Sequence, residues 1–246
     1  MKFIDCNCSF GIRRNILPFS ITEKEDVKKE LKRLNVVKAI TTHSTQKEFD
    51  LSYGNVRLSE EIKNDDFFIG SMCLMPLSTK EYLDLNAIDN FVDKNKIKTF
   101  ILYPNAHRYS FKTWNMKEIY DYISKKELPV IISQSEIPMD SLYEILKENA
   151  KMKVIYTDIG YANDRTLMTL LKEFNNLYVE TSGYQTLDGI EYISQNFGAE
   201  RLLFGTGMPM KSPGAAVSRI LFSKISDSEK EKIAYRNICN LIGEVL

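Results

Sequence analysis

Histidine is nearly absent from this chain of 246 residues, with His43 and His107 the only two. A site built on three or more imidazoles is thereby excluded by count. Cysteine is sparse too: Cys6, Cys8, Cys73 and Cys239 are too few for a disulfide framework at this length and suit a reducing compartment. There is no excess of charge, since Lys plus Arg and Asp plus Glu both number 33. No basic field therefore exists to draw in nucleic acid or an anionic membrane, and neither is expected as a partner. Apolar runs such as VVKAI and KTFILY fall far short of the ~20 residues of a membrane-spanning helix. The N-terminus passes directly into a strand-like MKFID, so neither signal peptide nor anchor is expected, and the expected location is cytoplasmic.

What is present is a regular alternation. Short β-branched or aromatic runs (KFIDC, VKAITT, FFIGSMCLM, IKTFILY, PVIIS, KVIYTD, LYVETS, RLLFG) are separated by longer segments of helical period. That pattern specifies parallel strands joined by crossover helices. Eight strands in a chain that is 43% hydrophobic predict an α/β fold of the (β/α)8 barrel type. No repeat, low-complexity tract or Pro/Gly-rich linker intervenes, so residues 1–246 are expected to form one domain. A doubly wound open sheet would place a glycine-rich phosphate turn after its first strand, whereas CNCSFGIRRN holds a single glycine there. Helix starts are expected where a capping residue precedes an acid by three: Thr22 with Glu25, Asn115 with Glu118, and Ser226 with Glu229.

In such a barrel the chemistry lies at the carboxyl ends of the strands. Read in order, those ends present Asn7 and Ser9, His43, then Tyr103, Asn105, His107 and Arg108. Ser133 and Gln134 follow, then Asp158, then Glu180, Thr181 and Ser182, and finally Thr206 and Gly207. The segments IDCNCSFG, KELPVIIS, KVIYTDIGY, LYVETSGY, ERLLFGTGMP and EKIAYRNICNLIG, in this order, resemble the amidohydrolase-related family. That branch includes decarboxylases of aromatic acids and lactone hydrolases.

The resemblance implies a metal site: a His-x-His pair on the first strand, histidines ending the fifth and sixth, and an aspartate after the eighth. Here those positions fall on Asn7, Ser9, Ser133, Asp158 and Gly207. Hydroxyls and an amide are poor ligands for a catalytic zinc, and Gly207 offers no side chain, so no metal or cofactor is expected. The family's hydrolysis needs a metal-bound water and the eighth-strand carboxylate as base, and both are missing from the pattern. Period-two alternation should point Cys6 and Cys8 away from Asn7 and Ser9, outward beneath the helices.

The remaining candidates for acid–base work are Asp158, His43 and Glu180. Asp158 could alternatively be an ion-pair partner of Arg108 or of another mouth residue, and His43 a loop histidine bonded to backbone. Candidates for ligand contact are Arg108, His107, Tyr103, Asn7, Ser133 and Thr206, with Arg13 and Arg14 in an overhanging loop suited to an anionic group. Tyr109, Phe111 and Trp114 would form a lid or cap the barrel. The expected partner is a small, anionic molecule, and a homodimer is left open because no segment marks an interface. The functional expectation is an amidohydrolase-like barrel that has lost its metal ligands and binds a small molecule. Its alternative is a metal-independent hydrolase or lyase acting on a small carboxylate-bearing lactone, amide or acid.

Overall fold

The computed structural model describes residues 1–16 and 18–244. All eight expected runs form strands: β1 (Phe3–Phe10), β2 (Val36–His43), β3 (Phe68–Leu74), β4 (Ile97–Leu102), β5 (Val130–Ser133), β6 (Val154–Thr157), β7 (Leu177–Glu180) and β8 (Leu202–Leu203). They pair in sequence order, all parallel. The ring closes where Cys6 N donates to Phe204 O (3.0 Å), Gly207 N to Asn7 O (2.8 Å) and Ser9 N to Met208 O (2.9 Å). The crossover helices are α1 (Lys24–Arg33), α2 (Ser44–Glu48), α3 (Leu51–Ile62), α4 (Leu85–Lys94), α5 (Thr113–Lys126), α6 (Met139–Glu148), α7 (Asp164–Glu173), α8 (Gly189–Phe197) and α9 (Pro213–Leu221). The chain closes with α10 (Asp227–Glu231), a π-type turn and α11 (Asn237–Ile242). This is a (β/α)8 barrel. No helix among the described residues is long and apolar enough to cross a membrane.

Alternation along the strands splits the core into two layers. Ile4, Ile40, Cys73, Ile101, Ile131, Ile155 and Leu203 fill the barrel interior. Phe68, Phe100, Ile132, Val154, Val179 and Phe204 face the helices and pack on Val27, Leu58, Ile123, Leu142 and Ile220. All of these residues are buried, so Ile131→Ala would cost about 2–5 kcal/mol of stability.

Three local expectations fare differently. Ser226 does open its helix: its hydroxyl accepts from Glu229 N (3.3 Å) and Glu229 Oε2 accepts from Ser226 N (2.9 Å). Thr22 does not cap α1, which begins at Lys24 with Glu23 in the cap position, and the Thr22 hydroxyl turns to Glu23 instead. Asn115 lies inside α5, which starts two residues earlier, and its amide reaches back to Ser110 O (2.8 Å). The cysteines also need correcting. Cys8 packs in the outer layer, but Cys6 joins the interior, because the β1–β2 register breaks between Asp5 and Cys8 and resets the alternation.

Candidate functional site: a lysine-bridged cluster at the barrel mouth

Asp5 explains the break in β1. Wholly buried, it accepts from Asn7 N (2.9 Å) and Thr206 N (2.9 Å), and from the Thr206 hydroxyl. Burial pushes its carboxyl up to about 6, against the pull of the bonds from Thr206 and Asn7. The pair sews β1 to the end of β8 and turns Asn7 toward the mouth. Thr206 is thus fully buried and committed to Asp5.

Asn7 Nδ2 donates to Glu180 Oε2 (2.9 Å), which also accepts from Ser182 Oγ (2.8 Å), while Ser182 N donates to Glu180 Oε1. Glu180 has no exposed surface, and burial raises its carboxyl to about 7 although Ser182, Asn7 and Lys211 all pull it down. Room for it exists only because residue 205 is glycine, since a Cβ there would stand 2.4 Å from Glu180 Oε1.

The decisive side chain is Lys211. Its Nζ donates to Asp158 Oδ1 (2.7 Å) and to Ser182 Oγ (3.1 Å), joining the ends of β6 and β7. Its stem lies where a side chain at position 207 would be: a Cβ on Gly207 would sit 2.7 Å from Lys211 Cδ and 3.2 Å from Cγ. Gly207 also has φ of 66°, a left-handed value that favours glycine. The position to which the resemblance assigns an aspartate after the eighth strand thus holds a glycine, and the Lys211 stem occupies the space beside it. Asp158 leaves β6 with φ of 58° and receives Ser133 Oγ on its other oxygen (2.9 Å). Burial alone would raise its carboxyl, but the hydrogen bond and charge of Lys211, with Ser133, hold it below the usual carboxylate range. Of the two partners expected for Asp158, Arg108 or another mouth residue, it is the second that holds: Lys211 takes that carboxylate.

The other candidates do not join this cluster. His43 is 6% exposed, lies edge-on to Phe10 and caps α2, with Nδ1 2.6 Å from Thr45 Oγ1 and Nε2 3.7 Å from Glu61. Burial, with Arg57 and Arg13 nearby, depresses it to about 4. His107 Nε2 donates to Lys47 O (3.2 Å), and its ring stands edge-on to Tyr103. Burial lowers its affinity for a proton. Tyr103 is buried in the barrel interior beneath Lys47. Arg108 is exposed, without an ion-pair partner among the described residues, in a groove of about 570 Å³ lined by Asn105, Phe111, Ser135 and Glu136. Ser135 Oγ, 2.8 Å from Ser133 Oγ, connects that groove to Asp158. Arg13 does overhang the mouth, with its guanidinium on Ser9 and Glu48. Arg14 NH2 donates to Glu48 O (3.0 Å). Tyr109 and Phe111 pack against the core, while Trp114 points to solvent from α5.

The barrel has counterparts among known proteins. The sequence profile of the Amidohydrolase family matches residues 35–242. The chain belongs to that family. No match appears among curated proteins compared by sequence. By structure it is similar to an uncharacterized TIM-barrel protein from Bordetella bronchiseptica (TM-score 0.75, 15% identity, 99% of each chain covered). It is similar to 5-carboxyvanillate decarboxylase from Sphingomonas paucimobilis (TM-score 0.75, 9% identity, 99% of each chain). It is also similar to a dihydroxybenzoic acid decarboxylase from a Polaromonas species, whose structure carries bound manganese (TM-score 0.71, 13% identity, 98% of this chain and 97% of that one).

At the positions where the resemblance implies metal ligands, the side chains present are already engaged and do not fit such an ion. Asn7 and Ser9 are engaged with Glu180 and Arg13, and the single carboxylate, Asp158, already holds an ammonium at 2.7 Å. A second cation at the same oxygens would meet direct repulsion. Among the described residues, no three His, Cys, Asp or Glu side chains converge where an ion could be held.

The sequence reading singled out Asp158, Glu180, Asn7 and Ser133, which the structure does bring together, and missed Lys211 and Asp5. The available signal for Lys211 was a lysine four residues beyond Gly207, in the loop after the eighth strand.

Proposed function

We propose that this family member binds a small carboxylate-bearing molecule at its barrel mouth without a metal ion, Lys211 supplying the positive charge. The observation that carries the reading is the ammonium at 2.7 Å from Asp158 and 3.1 Å from Ser182, on a stem occupying the space of Gly207. A lysine has three donors. Asp158 and Ser182 take two of them, which leaves one for a ligand oxygen, and the Lys211 side chain is 32% exposed. Arg13 and the Ser133–Ser135 hydroxyls border the same opening.

The test is a thermal-shift and calorimetric titration with acetate, benzoate and glutarate in the presence of chelator. Binding should survive the chelator and be lost in Lys211→Met. Binding that requires added manganese or zinc, or that persists in Lys211→Met, contradicts the reading.

Glu180 favours a second reading, a metal-independent hydrolase or lyase. A buried carboxyl held near 7 is suited to exchanging a proton at physiological pH, and such a group can serve as acid or base. Turnover of small lactones or carboxylic acids in chelator, abolished by Glu180→Gln, is its signature.

A further inference from the structure

We infer that Ser182 is a nucleophile for acyl transfer from a small ester or lactone, with Glu180 as its base and Lys211 beside the attacked carbonyl. This rests on reading the mouth as a metal-free chemical site and goes further in naming the attacking atom.

An activated serine needs a base within hydrogen-bond reach, a third group orienting the base, and a donor where negative charge develops. Ser182 Oγ donates to Glu180 Oε2 at 2.8 Å. Asn7 Nδ2 (2.9 Å) and Ser182 N fix the glutamate from the other side. Lys211 Nζ lies 3.1 Å from Oγ. Arg219, from α9, donates to Thr181 O and Ser182 O and pins the backbone that carries the hydroxyl. Of the groups donating to Glu180, two are amides. The Ser182 hydroxyl is the one whose proton the carboxylate can take. Burial keeps Glu180 basic enough to take it near neutral pH.

The step balances without a co-reactant other than water. Oγ gives its proton to Glu180 as it bonds the carbonyl carbon, and the carbonyl π pair moves onto oxygen, where the Lys211 ammonium stabilises it. Collapse expels the alkoxide, which takes the proton from Glu180. Water, deprotonated by Glu180, then releases the acid and restores the Ser182 hydroxyl. Ser182 is only 5% exposed and lies beside the part-exposed Lys211 side chain, so the substrate must be small.

The test uses diisopropyl fluorophosphate on the full chain, with intact mass and peptide mapping. One adduct on Ser182 is expected, absent in Ser182→Ala and formed about a hundredfold more slowly in Glu180→Gln. Hydrolysis of p-nitrophenyl acetate should fall in parallel. The Ser182→Cys variant, checked by thermal melting, reports access through alkylation by iodoacetamide. An unlabelled Ser182 overturns the inference whether or not the Ser182→Cys variant is alkylated, and so does a wild-type labelling rate in Glu180→Gln. Missing label with retained benzoate binding removes the nucleophile alone, whereas label without binding removes the carboxylate-binding reading alone.

Discussion

The two halves of the barrel mouth use their polar residues differently. Around β6, β7, β8 and β1, Asp158, Lys211, Ser182, Glu180 and Asn7 form one chain of contacts between residues far apart in sequence. Around β2 to β5 the polar groups serve the loops, apart from Ser133 at the end of β5, which donates to Asp158. His43 caps a helix, His107 holds Lys47 O, and Glu136, with its side chain 2% exposed, accepts from Asn105 N and Ala106 N while pairing with Lys47. Convergent side chains with displaced proton affinities are what chemistry requires, whereas capping and tethering require only local geometry. The difference is the reason for proposing the site in the first half.

That contrast can be broken most severely at Gly205. Gly205→Ala drives a methyl group into the Glu180 carboxylate and should destabilise the fold by about 3 kcal/mol, measured by urea unfolding. The next effect is pH-dependent. Glu180 binds its proton more tightly folded (about 7) than unfolded (4.5), so its stabilising contribution is full below pH 4.5 and lost as pH rises through 7. His43 runs the opposite way: its folded value near 4 makes stability fall as pH drops below 6.5. The comparison with Glu180→Gln therefore isolates the glutamate. Wild type should lose on the order of 2–3 kcal/mol relative to the variant between pH 4.5 and 7.5.

Lys211→Met should change stability by less than about 1 kcal/mol, because the ion pair is partly exposed. It should nevertheless shift the Asp158 carboxyl upward in a carbon-13 NMR titration. The smallest effect is expected from the other half of the mouth: His43→Gln should leave benzoate binding and the Asp158 titration unchanged. A His43 variant that alters either would erase the distinction between the two halves.

The barrel was legible because each strand is a β-branched or aromatic run short enough to be unambiguous, as in PVIIS and KVIYTD. Asp158 and Glu180 were legible because strand ends define the mouth. Lys211 was not, because the fold rule points to the strand end and this long side chain reaches back from eight residues beyond Leu203, the end of β8. The direction of Cys6 was hidden by the irregular β1 register, which Asp5 imposes through bonds to residues two hundred positions away. Capping proved readable at Ser226, where the acid returns the bond, and misleading at Thr22 and Asn115, where the helix begins elsewhere.

We propose that a lysine, rather than a metal ion, supplies the positive charge at this mouth. Elemental analysis of protein purified without chelators and equilibrated with manganese or zinc, in wild type and in Asp158→Asn, tests it most directly. Metal far below one ion per chain is expected in both proteins. One ion per wild-type chain, lost in Asp158→Asn, would contradict it.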